Sequence, residues 1–192
     1  MFLEASKKRS HIIVENCAAE KETTCCFSGY RPEKFAFPLK APSREYSILL
    51  GYINIYILFS IEKGYTAFLC GMAQGFDIIC GETILRLKKH PGYEHIRLSC
   101  AVPYRDHSKR WDGIWQLRHQ KLAGLADQVI YVSEDYSREC FHVRNRFMAD
   151  HASRLICYHD GQSGGTAYTV DYCRKKGIEI INLAEKIKAA RQ

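Results

Sequence analysis

Short apolar runs alternate with longer segments of helical character along most of this chain. Six of the runs have the length and the residue types of buried strands, at residues 23–27, 66–70, 96–102, 128–132, 155–158 and 178–181. Helical segments lie between them. Strands that alternate with helices form parallel sheets, because each parallel connection needs a crossover. The pattern therefore predicts an α/β fold: a three-layer sandwich on a mainly parallel sheet, in a single domain.

The longest apolar segment runs from Tyr46 to Ile61 and contains no charged residue. It is shorter than the roughly 20 residues that span a bilayer, and Gly51 and Asn54 interrupt it. We therefore predict no membrane span but a helix that is ended by Gly64 and buried on nearly all sides. One sheet face is not expected to cover so much apolar surface, so a second subunit is expected to cover the rest. This predicts a homodimer.

The charge and the cysteine content narrow the class of protein. Residues 1–22 are polar and are predicted to form an N-terminal arm ahead of a domain at residues 23–192. The net charge of +7 is scattered, which suits an anionic ligand without requiring nucleic acid. The nine cysteines include no C-x-x-C pair and mostly lie in apolar runs, as small buried hydrophobes do. With no recognisable signal peptide, this predicts a reducing cytoplasm. The eight histidines and nine cysteines show no paired ligand spacing, so no metal site is expected, and no resident cofactor is expected either.

Glycine-bearing loops follow three of the predicted strands. Glycines let the backbone approach a ligand closely, and a helix start offers free N–H groups to an anion. In a parallel sheet the carboxyl ends of the strands open on one edge, so these loops are expected to converge there. The candidate ligand contacts in the loops are Gly29, Arg31, Gly71, Gly75, Asp77, Gly164, Gly165 and Thr166. Asp77 has an alternative interpretation as a helix N-cap.

A further set of candidates lies on the predicted helix at residues 140–152. Arg144 and Arg146 flank Asn145, and consecutive helical residues point about 100° apart. The two arginines therefore cannot both face one ligand, and we select Arg144 with Asn145. Trp111 and Tyr136 lie in predicted loops, where they would either stack on a base or anchor the core.

Taken in this order, the motifs resemble the SLOG superfamily, which joins DNA-processing protein A to the Lonely Guy enzymes, and most closely its YpsA-like branch. The resemblance covers residues 25–183. It depends on residues 28–32 and 71–77, Pro103 with Trp111, Arg144-Asn145 with Met148, and residues 161–166. It implies a Rossmann-like fold and a pocket for nucleotides or their derivatives. It implies no particular reaction.

The better-understood relatives suggest two alternatives. Lonely Guy enzymes split a nucleoside monophosphate into base and ribose 5-phosphate, and their motif places a glutamate where this chain has Thr169. Cleavage of an N-glycosidic bond needs a carboxylate, which Thr169 cannot supply, so phosphoribohydrolase activity is disfavoured here unless Asp77 supplies the carboxylate from the facing loop. DNA-processing protein A binds single-stranded DNA and resembles this chain at residues 75–77 and 144–146. Here, however, the basic residues form no dense stripe.

The sequence thus predicts a cytoplasmic module that binds a phosphorylated nucleotide or nucleotide derivative, with sensing favoured over catalysis. In this interpretation the glycines and Thr166 hold phosphate or ribose, Arg144 neutralises charge, and Asp77 contacts hydroxyls or caps its helix. The expected partners are a small molecule and a second copy of the chain.

Overall fold

The structure, a computed structural model, describes residues 19–190. Residues 1–18 of the predicted N-terminal arm lie outside this range. Six strands form one sheet, at the positions that the apolar runs predict to within one or two residues: β1 (Thr24–Ser28), β2 (Ala67–Cys70), β3 (Arg97–Val102), β4 (Gln128–Tyr131), β5 (Arg154–Cys157) and β6 (Glu179–Asn182).

The strand order is β4-β3-β2-β1-β5-β6, and every neighbouring pair is parallel. The chain first builds outwards from β1 on one side and then returns to build on the other. The strand order therefore reverses between β1 and β5, next to the central Cys26, which pairs with Leu69 and with Leu155. Loops that leave strands at such a reversal diverge and leave a crevice at the carboxyl edge.

Six α-helices connect or follow these strands within the described residues: α1 (Arg44–Glu62), α2 (Phe76–Leu87), α3 (Gly113–Leu125), α4 (Cys140–Asp150), α5 (Gly165–Lys175) and α6 (Leu183–Ala189). Several helix starts follow directly from the sequence. The side chains of Ser43 and Asp112 cap α1 and α3 by accepting hydrogen bonds from Tyr46 and Trp115.

The helices cover both faces of the sheet, which gives the predicted three layers. Phe27 and Ile156 point into the larger core, which contains apolar side chains of α1, α2 and α3. Cys26 and Leu155, one position away in each strand, point into a smaller core with α4 and α5. This is the Rossmann-like α/β sandwich that the sequence predicts.

Helix α1 corrects one prediction. It is not buried on nearly all sides: only Leu49, Ile53, Ile57 and Ser60 are fully buried. The opposite side carries Ile55, which is 57% exposed. The absence of charge suggested complete burial, but tyrosine, serine, asparagine and glycine fill the surface positions and tolerate water. No helix in residues 19–190 is long and apolar enough to cross a membrane.

The cysteines follow the expectation of buried thiols. The eight in the described part of the chain are all free and buried. Burial raises the pKa of Cys25 to about 12 and the pKa of Cys173 to about 11, so these thiols are protonated and unreactive at neutral pH. In residues 19–190 no group of three or more His, Cys, Asp or Glu side chains is placed to hold a metal ion.

Candidate functional site

A cavity of about 340 Å³ opens at the carboxyl edge of the sheet, where the strand order reverses. The loop after β1, the loop after β2 and the starts of α4 and α5 enclose it. Its walls carry four basic side chains against a single carboxylate, that of Glu33. The lining residues are Ser28, Gly29, Tyr30, Arg31, Glu33, Lys34, Ala73, Arg138, Phe141, His142, Arg144, Asn145, Gly165 and Thr166.

The cavity brings together candidate contacts that are far apart in the sequence. Six of the ten candidate contacts line it: Gly29, Arg31, Arg144, Asn145, Gly165 and Thr166. The other four, Gly71, Gly75, Asp77 and Gly164, do not. Gly71, Gly75 and Asp77 lie in the wall behind the cavity, where they pack against its lining residues.

Gly71 makes room for a side chain rather than for a ligand. A Cβ at this position would lie 2.2 Å from the Arg144 Nη1 and 2.6 Å from the Asp77 Oδ2. The guanidinium group of Arg144 therefore lies directly on the Gly71 backbone, which differs from the expectation that this glycine contacts phosphate. Without a side chain at Gly71, Arg144 can reach the cavity from α4.

Gly75 and Asp77 hold two loops together instead of facing a ligand. Gly75 has a φ of 87°, and a Cβ there would lie 2.6 Å from the carbonyl oxygen of Tyr30. Asp77 accepts hydrogen bonds from the Gly29 amide at 3.2 Å and from the Ala73 amide at 3.4 Å. Asp77 is neither the N-cap of α2, a position that Gly75 occupies, nor exposed to a ribose. It also engages the Gly29 amide, one of those expected to bind phosphate.

Arg144 carries a buried charge that is only partly compensated. Its side chain is 6% exposed, and its Nε and Nη1 atoms make no hydrogen bond within the described chain. The nearest carboxylate is that of Asp77, whose Oδ2 lies 3.6 Å from Nη1, beyond hydrogen-bond distance. Burial lowers the pKa of Arg144, with Asp77 acting in the opposite direction, but guanidinium groups stay charged in proteins. The result is an electropositive cavity wall, behind which two nitrogens of Arg144 are buried without hydrogen bonds.

The environment of Asp77 limits how far it compensates the charge of Arg144. Burial raises the pKa of Asp77 to about 6, although Arg144 and the amides of Ala73 and Gly29 lower it. Near neutral pH the carboxyl group is still mostly ionised, and Arg144 shares this carboxylate with the amides of Gly29 and Ala73. Asp77 therefore offsets the charge of Arg144 only in part.

Helix α5 directs its N-terminus at the same cavity. Gly164 is the N-cap residue with a φ of 136°, and no side chain caps the helix. Lys34 approaches this end and donates a hydrogen bond from Nζ to the Ser163 carbonyl at 2.6 Å. Its Nζ lies 2.8 Å from where a Gly164 Cβ would be. A lysine and an uncapped helix start at one point favour a negative charge there.

The carbonyl of Gly165 joins α4 to α5. It accepts hydrogen bonds from the Asn145 Nδ2 at 3.4 Å and from the Thr169 Oγ1 at 2.8 Å. Thr169, at the position of the Lonely Guy glutamate, is completely buried and lies outside the cavity lining. The first turn of α5 therefore presents no carboxylate to the cavity.

The sequence did not single out several lining residues. Lys34 and Arg138 provide two of the four basic groups, and His142 and Phe141 form the wall at the start of α4. Lys34 and Arg138 lie several positions after the end of a strand, in loops whose sequence has no regular periodicity. Only the three-dimensional course of the loops brings them to the cavity. The one usable signal was that each lies within the loop after a predicted strand or at its end.

Tyr30 fixes the loop after β1 to the loop after β5. Its hydroxyl donates to the Asp160 Oδ1 at 2.8 Å and accepts from the amides of Asp160 at 3.2 Å and Gln162 at 3.1 Å. The ring is 2% exposed and packs edge-on against Tyr158. The Tyr30 hydroxyl thus uses all of its hydrogen-bonding capacity to link two segments that both border the cavity.

Comparison with known proteins matches this chain to a family. The family model for YpsA, described as the YspA SLOG family, matches residues 25–183. The chain is 27% identical over 121 residues to an uncharacterised SPbeta prophage-derived protein, YoqJ, of Bacillus subtilis, a match that covers 56% of this chain and 69% of that protein. It is 27% identical over 138 residues to a UPF0398 protein of Macrococcus caseolyticus, covering 70% and 73% of the two chains.

Two solved structures share the fold. DNA processing protein A from Streptococcus pneumoniae superposes with a TM-score of 0.54 at 14% identity, covering 83% of this chain. The Helicobacter pylori protein of the same name, whose structure concerns single-stranded DNA binding, gives a TM-score of 0.53 at 15% identity and 82% coverage. This chain spans only 50% and 63% of those two proteins. At such identities the likeness extends to the fold alone.

Proposed function

Since the chain belongs to the YspA SLOG family, we propose that the cavity between β1, α4 and α5 binds a phosphorylated nucleotide or nucleotide derivative. Arg144, Arg31, Lys34 and the start of α5 would hold the phosphate. Asn145 and Thr166 would supply polar contacts beside it. Gly71, Gly75 and Asp77 would not contact the ligand but would support the residues that do.

The observation that carries this proposal is the buried guanidinium of Arg144. A charge at 6% exposure is unfavourable when its one close carboxylate, that of Asp77, lies 3.6 Å away and two of its nitrogens make no hydrogen bond in the described chain. The same side chain lines a cavity whose other basic groups leave it electropositive. A bound anion next to this guanidinium offsets the cost of burying the charge.

Phosphate suits this cavity better than a carboxylate. Four basic side chains and one uncapped helix start surround it, which matches a group with two negative charges and several acceptor oxygens. The polar side chains of Asn145 and Thr166 lie beside these groups, as contacts to a sugar would require. A phosphorylated sugar or nucleotide has both parts.

Sensing accounts for the chemistry of the site better than hydrolysis does. Thr169 stands where a phosphoribohydrolase would have its glutamate, and its hydroxyl is engaged by the Gly165 carbonyl. Asp77, the nearest buried carboxyl group, is turned to Gly29, Ala73 and Arg144. We therefore expect no release of adenine from AMP. Release of adenine that Arg144→Met abolishes would instead establish the hydrolase.

Binding is tested by isothermal calorimetry with ribose 5-phosphate, AMP and ADP-ribose. The matched pair of variants is Arg144→Met and Arg146→Met, because both arginines lie on α4. Arg146 faces the Tyr168 hydroxyl, to which it donates at 2.9 Å, and does not line the cavity. We expect Arg144→Met to weaken binding about 10- to 100-fold, as for the loss of charged hydrogen bonds. Arg146→Met is expected to leave the affinity unchanged.

Two outcomes would contradict the proposal. One is the absence of binding by all three compounds to the wild-type protein. The other is an equal loss of affinity in both arginine variants, which would indicate general electrostatics rather than this cavity. Arg144→Lys keeps the charge without the fork of donors and is expected to fall between the two. Thermal unfolding of each variant separates a loss of binding from a loss of fold.

Single-stranded DNA is the second candidate, since a shared fold with DNA processing protein A and the aromatic residues near the cavity favour it. Tyr136 is 63% exposed beside the cavity residue Phe141 and three basic residues. Binding of an oligothymidylate with a steep dependence on salt, together with no response to the small molecules, would select DNA.

We further propose that the protein acts in a reducing cytoplasm, in keeping with its free, buried cysteines.

A further inference from the structure

A second cavity, of about 630 Å³, borders the first at Arg31 and Phe141. The loop between β3 and α3, the loop between β4 and α4, and the start of α4 enclose it. The guanidinium group of Arg31 lies 5.7 Å from the centre of the Phe141 ring, so this pair forms the partition between the two cavities. Both cavities lie at the carboxyl edge of the same sheet.

His107 is the unusual residue of this second cavity. It is 4% exposed, and its buried ring nitrogens make no well-formed hydrogen bond within residues 19–190, although the Met72 backbone interacts weakly with the ring. Burial, together with the charge of Arg144 and nearby His119, lowers the pKa of His107 to about 3. The ring is therefore neutral at pH 7 and offers one donor and one acceptor. A buried polar group with hydrogen-bonding capacity left unused is costly, and a ligand could use that capacity.

Aromatic rings surround this histidine. Trp111 and Tyr104 lie edge-on to His107, with ring centres 4.8 Å and 5.5 Å away. Tyr136 packs edge-on to Tyr104 at 5.5 Å and is itself 63% exposed. Trp111 is half-buried. Aromatic faces that remain open to a cavity are surfaces on which a flat ring stacks.

The buried polar group of the cavity, rather than its exposed charges, favours a ring. Arg31, Lys109 and Arg110 give the cavity a positive charge that the 3.2 Å pair of Lys109 with Asp106 only partly offsets, but Lys109 and Arg110 are exposed. The buried polar group is a neutral imidazole rather than a guanidinium. Neutral donors and acceptors among aromatic rings match the edge and the faces of a heteroaromatic base.

We propose that the second cavity binds the heteroaromatic base of the ligand whose phosphate lies in the first cavity. The inference rests on the proposed function, which it deepens by requiring a ligand that carries a base. The nitrogens of His107 are buried under the cavity wall, so a shift of this ring would let it exchange hydrogen bonds with the base edge, and Trp111 with Tyr136 would stack on the base. Arg31 would lie between base and phosphate.

The first experiment observes Trp111 directly. The chain has two tryptophans, and Trp115 is 8% exposed, stacks under Arg118 and lines neither cavity. Trp115→Phe therefore leaves Trp111 as the single tryptophan fluorophore. We expect AMP, ADP-ribose or adenosine to change its fluorescence, and ribose 5-phosphate to leave it nearly unchanged.

The second experiment measures what the base contributes. We expect AMP or ADP-ribose to bind the wild-type protein about tenfold more tightly than ribose 5-phosphate, as one stacked base provides. His107→Leu and Trp111→Ala should remove that gain and keep the affinity for ribose 5-phosphate. Tyr172→Ala is the matched control, because this aromatic residue of α5 lies outside both cavities, where its hydroxyl contacts Asp150.

The outcomes separate this inference from the proposed function. If ribose 5-phosphate binds, but bases neither perturb Trp111 nor add affinity, the base cavity is wrong and the phosphate cavity stands. If adenosine perturbs Trp111 and His107→Leu abolishes this while ribose 5-phosphate does not bind, the base cavity stands alone. No change of Trp111 fluorescence with any of the base-carrying compounds overturns the inference, whatever happens to the first cavity.

Discussion

At the scale of single residues, the site depends on two buried ionisable groups that share the space above one glycine. Arg144 and Asp77 both lie against Gly71, yet their charged atoms stay 3.6 Å apart. From the sequence, helical geometry excluded that both arginines face one ligand, and Arg144 was selected over Arg146 as the ligand contact; Arg144 is the buried one of the two. It did not predict the burial of Asp77, since the contacts to Gly29 and Ala73 depend on loops that only the fold brings together.

The first prediction concerns Gly71→Ala. Its φ is not in the left-handed region, so alanine is tolerated by the backbone. The new methyl group must displace the Arg144 guanidinium, and we expect about a tenfold or greater loss of ligand affinity by calorimetry. Gly51→Ala is the control: nothing lies within 4 Å of its Cβ in helix α1, so it should stabilise the protein by about 0.5–1 kcal/mol. Unchanged affinity in Gly71→Ala would contradict the placement of Arg144.

The second prediction is a pH dependence that belongs to Asp77. Burial raises its pKa from 3.8 to about 6, so the folded protein binds a proton more tightly than the unfolded chain does. The ionised form is therefore disfavoured in the folded state, and stability falls as the pH rises from about 4 through 6. Asp77→Asn removes this titration. We expect the wild type to lose on the order of 2 to 3 kcal/mol relative to the variant across this range.

Urea unfolding from pH 4.5 to 7.5 measures this difference. His107 and His119, with pKa values lowered to about 3 and 4, make stability fall towards acid pH instead. Because both proteins contain these histidines, their effect cancels in the comparison. A difference in unfolding free energy that stays constant with pH would show that Asp77 does not titrate in this range.

At the scale of elements, the apolar pattern predicts the sheet well and the environment of α1 poorly. Strands are short and mostly buried on both faces, so continuous apolar runs mark them directly. For α1 the same signal was misleading, because absence of charge is not the same as burial. Which side of a helix meets the core depends on where the helix lies over the sheet. A segment without periodic polar positions gives no signal for the side that will be buried.

The third prediction concerns the exposed side of α1, where Ile55 is 57% and Phe59 38% exposed. We propose that a second copy of the chain covers this surface and forms a homodimer. Light scattering should give twice the 22.1 kDa of the single chain, and Ile55→Lys should give the single chain. Leu117→Lys is the control, since Leu117 is 64% exposed on α3. A wild-type mass of 22.1 kDa would contradict the proposal.

At the scale of the whole molecule, the parallel sheet explains why loops from distant parts of the chain meet. The prediction that they converge at one edge followed from topology alone, and Gly29 and Gly165 do line one cavity. What topology could not reveal is which atoms of each loop face inwards. Gly71 and Gly75 come from the same edge but support Arg144 and Tyr30 instead, because side chains fill the space next to them.

The fourth prediction tests whether the two loops joined by Tyr30 behave as one unit. Tyr30→Phe removes three hydrogen bonds to Asp160 and Gln162, and we expect a loss of about 1 to 2 kcal/mol in unfolding free energy. Amide hydrogen exchange should quicken at residues 29–36 and 159–165 together. Tyr65→Phe is the control, because its hydroxyl accepts from Ser153 away from the cavity. Faster exchange in only one of the two segments would show that they move independently.

The phenol of Tyr30 also has a kinetic consequence. It belongs to the segment that carries Gly29 and Arg31, and it holds the backbone of the segment that leads into α5. A molecule that enters by pushing aside one segment must move the other as well. Entry and exit then cross the same barrier, so weakening this contact should speed association and dissociation by similar factors while the equilibrium affinity changes little.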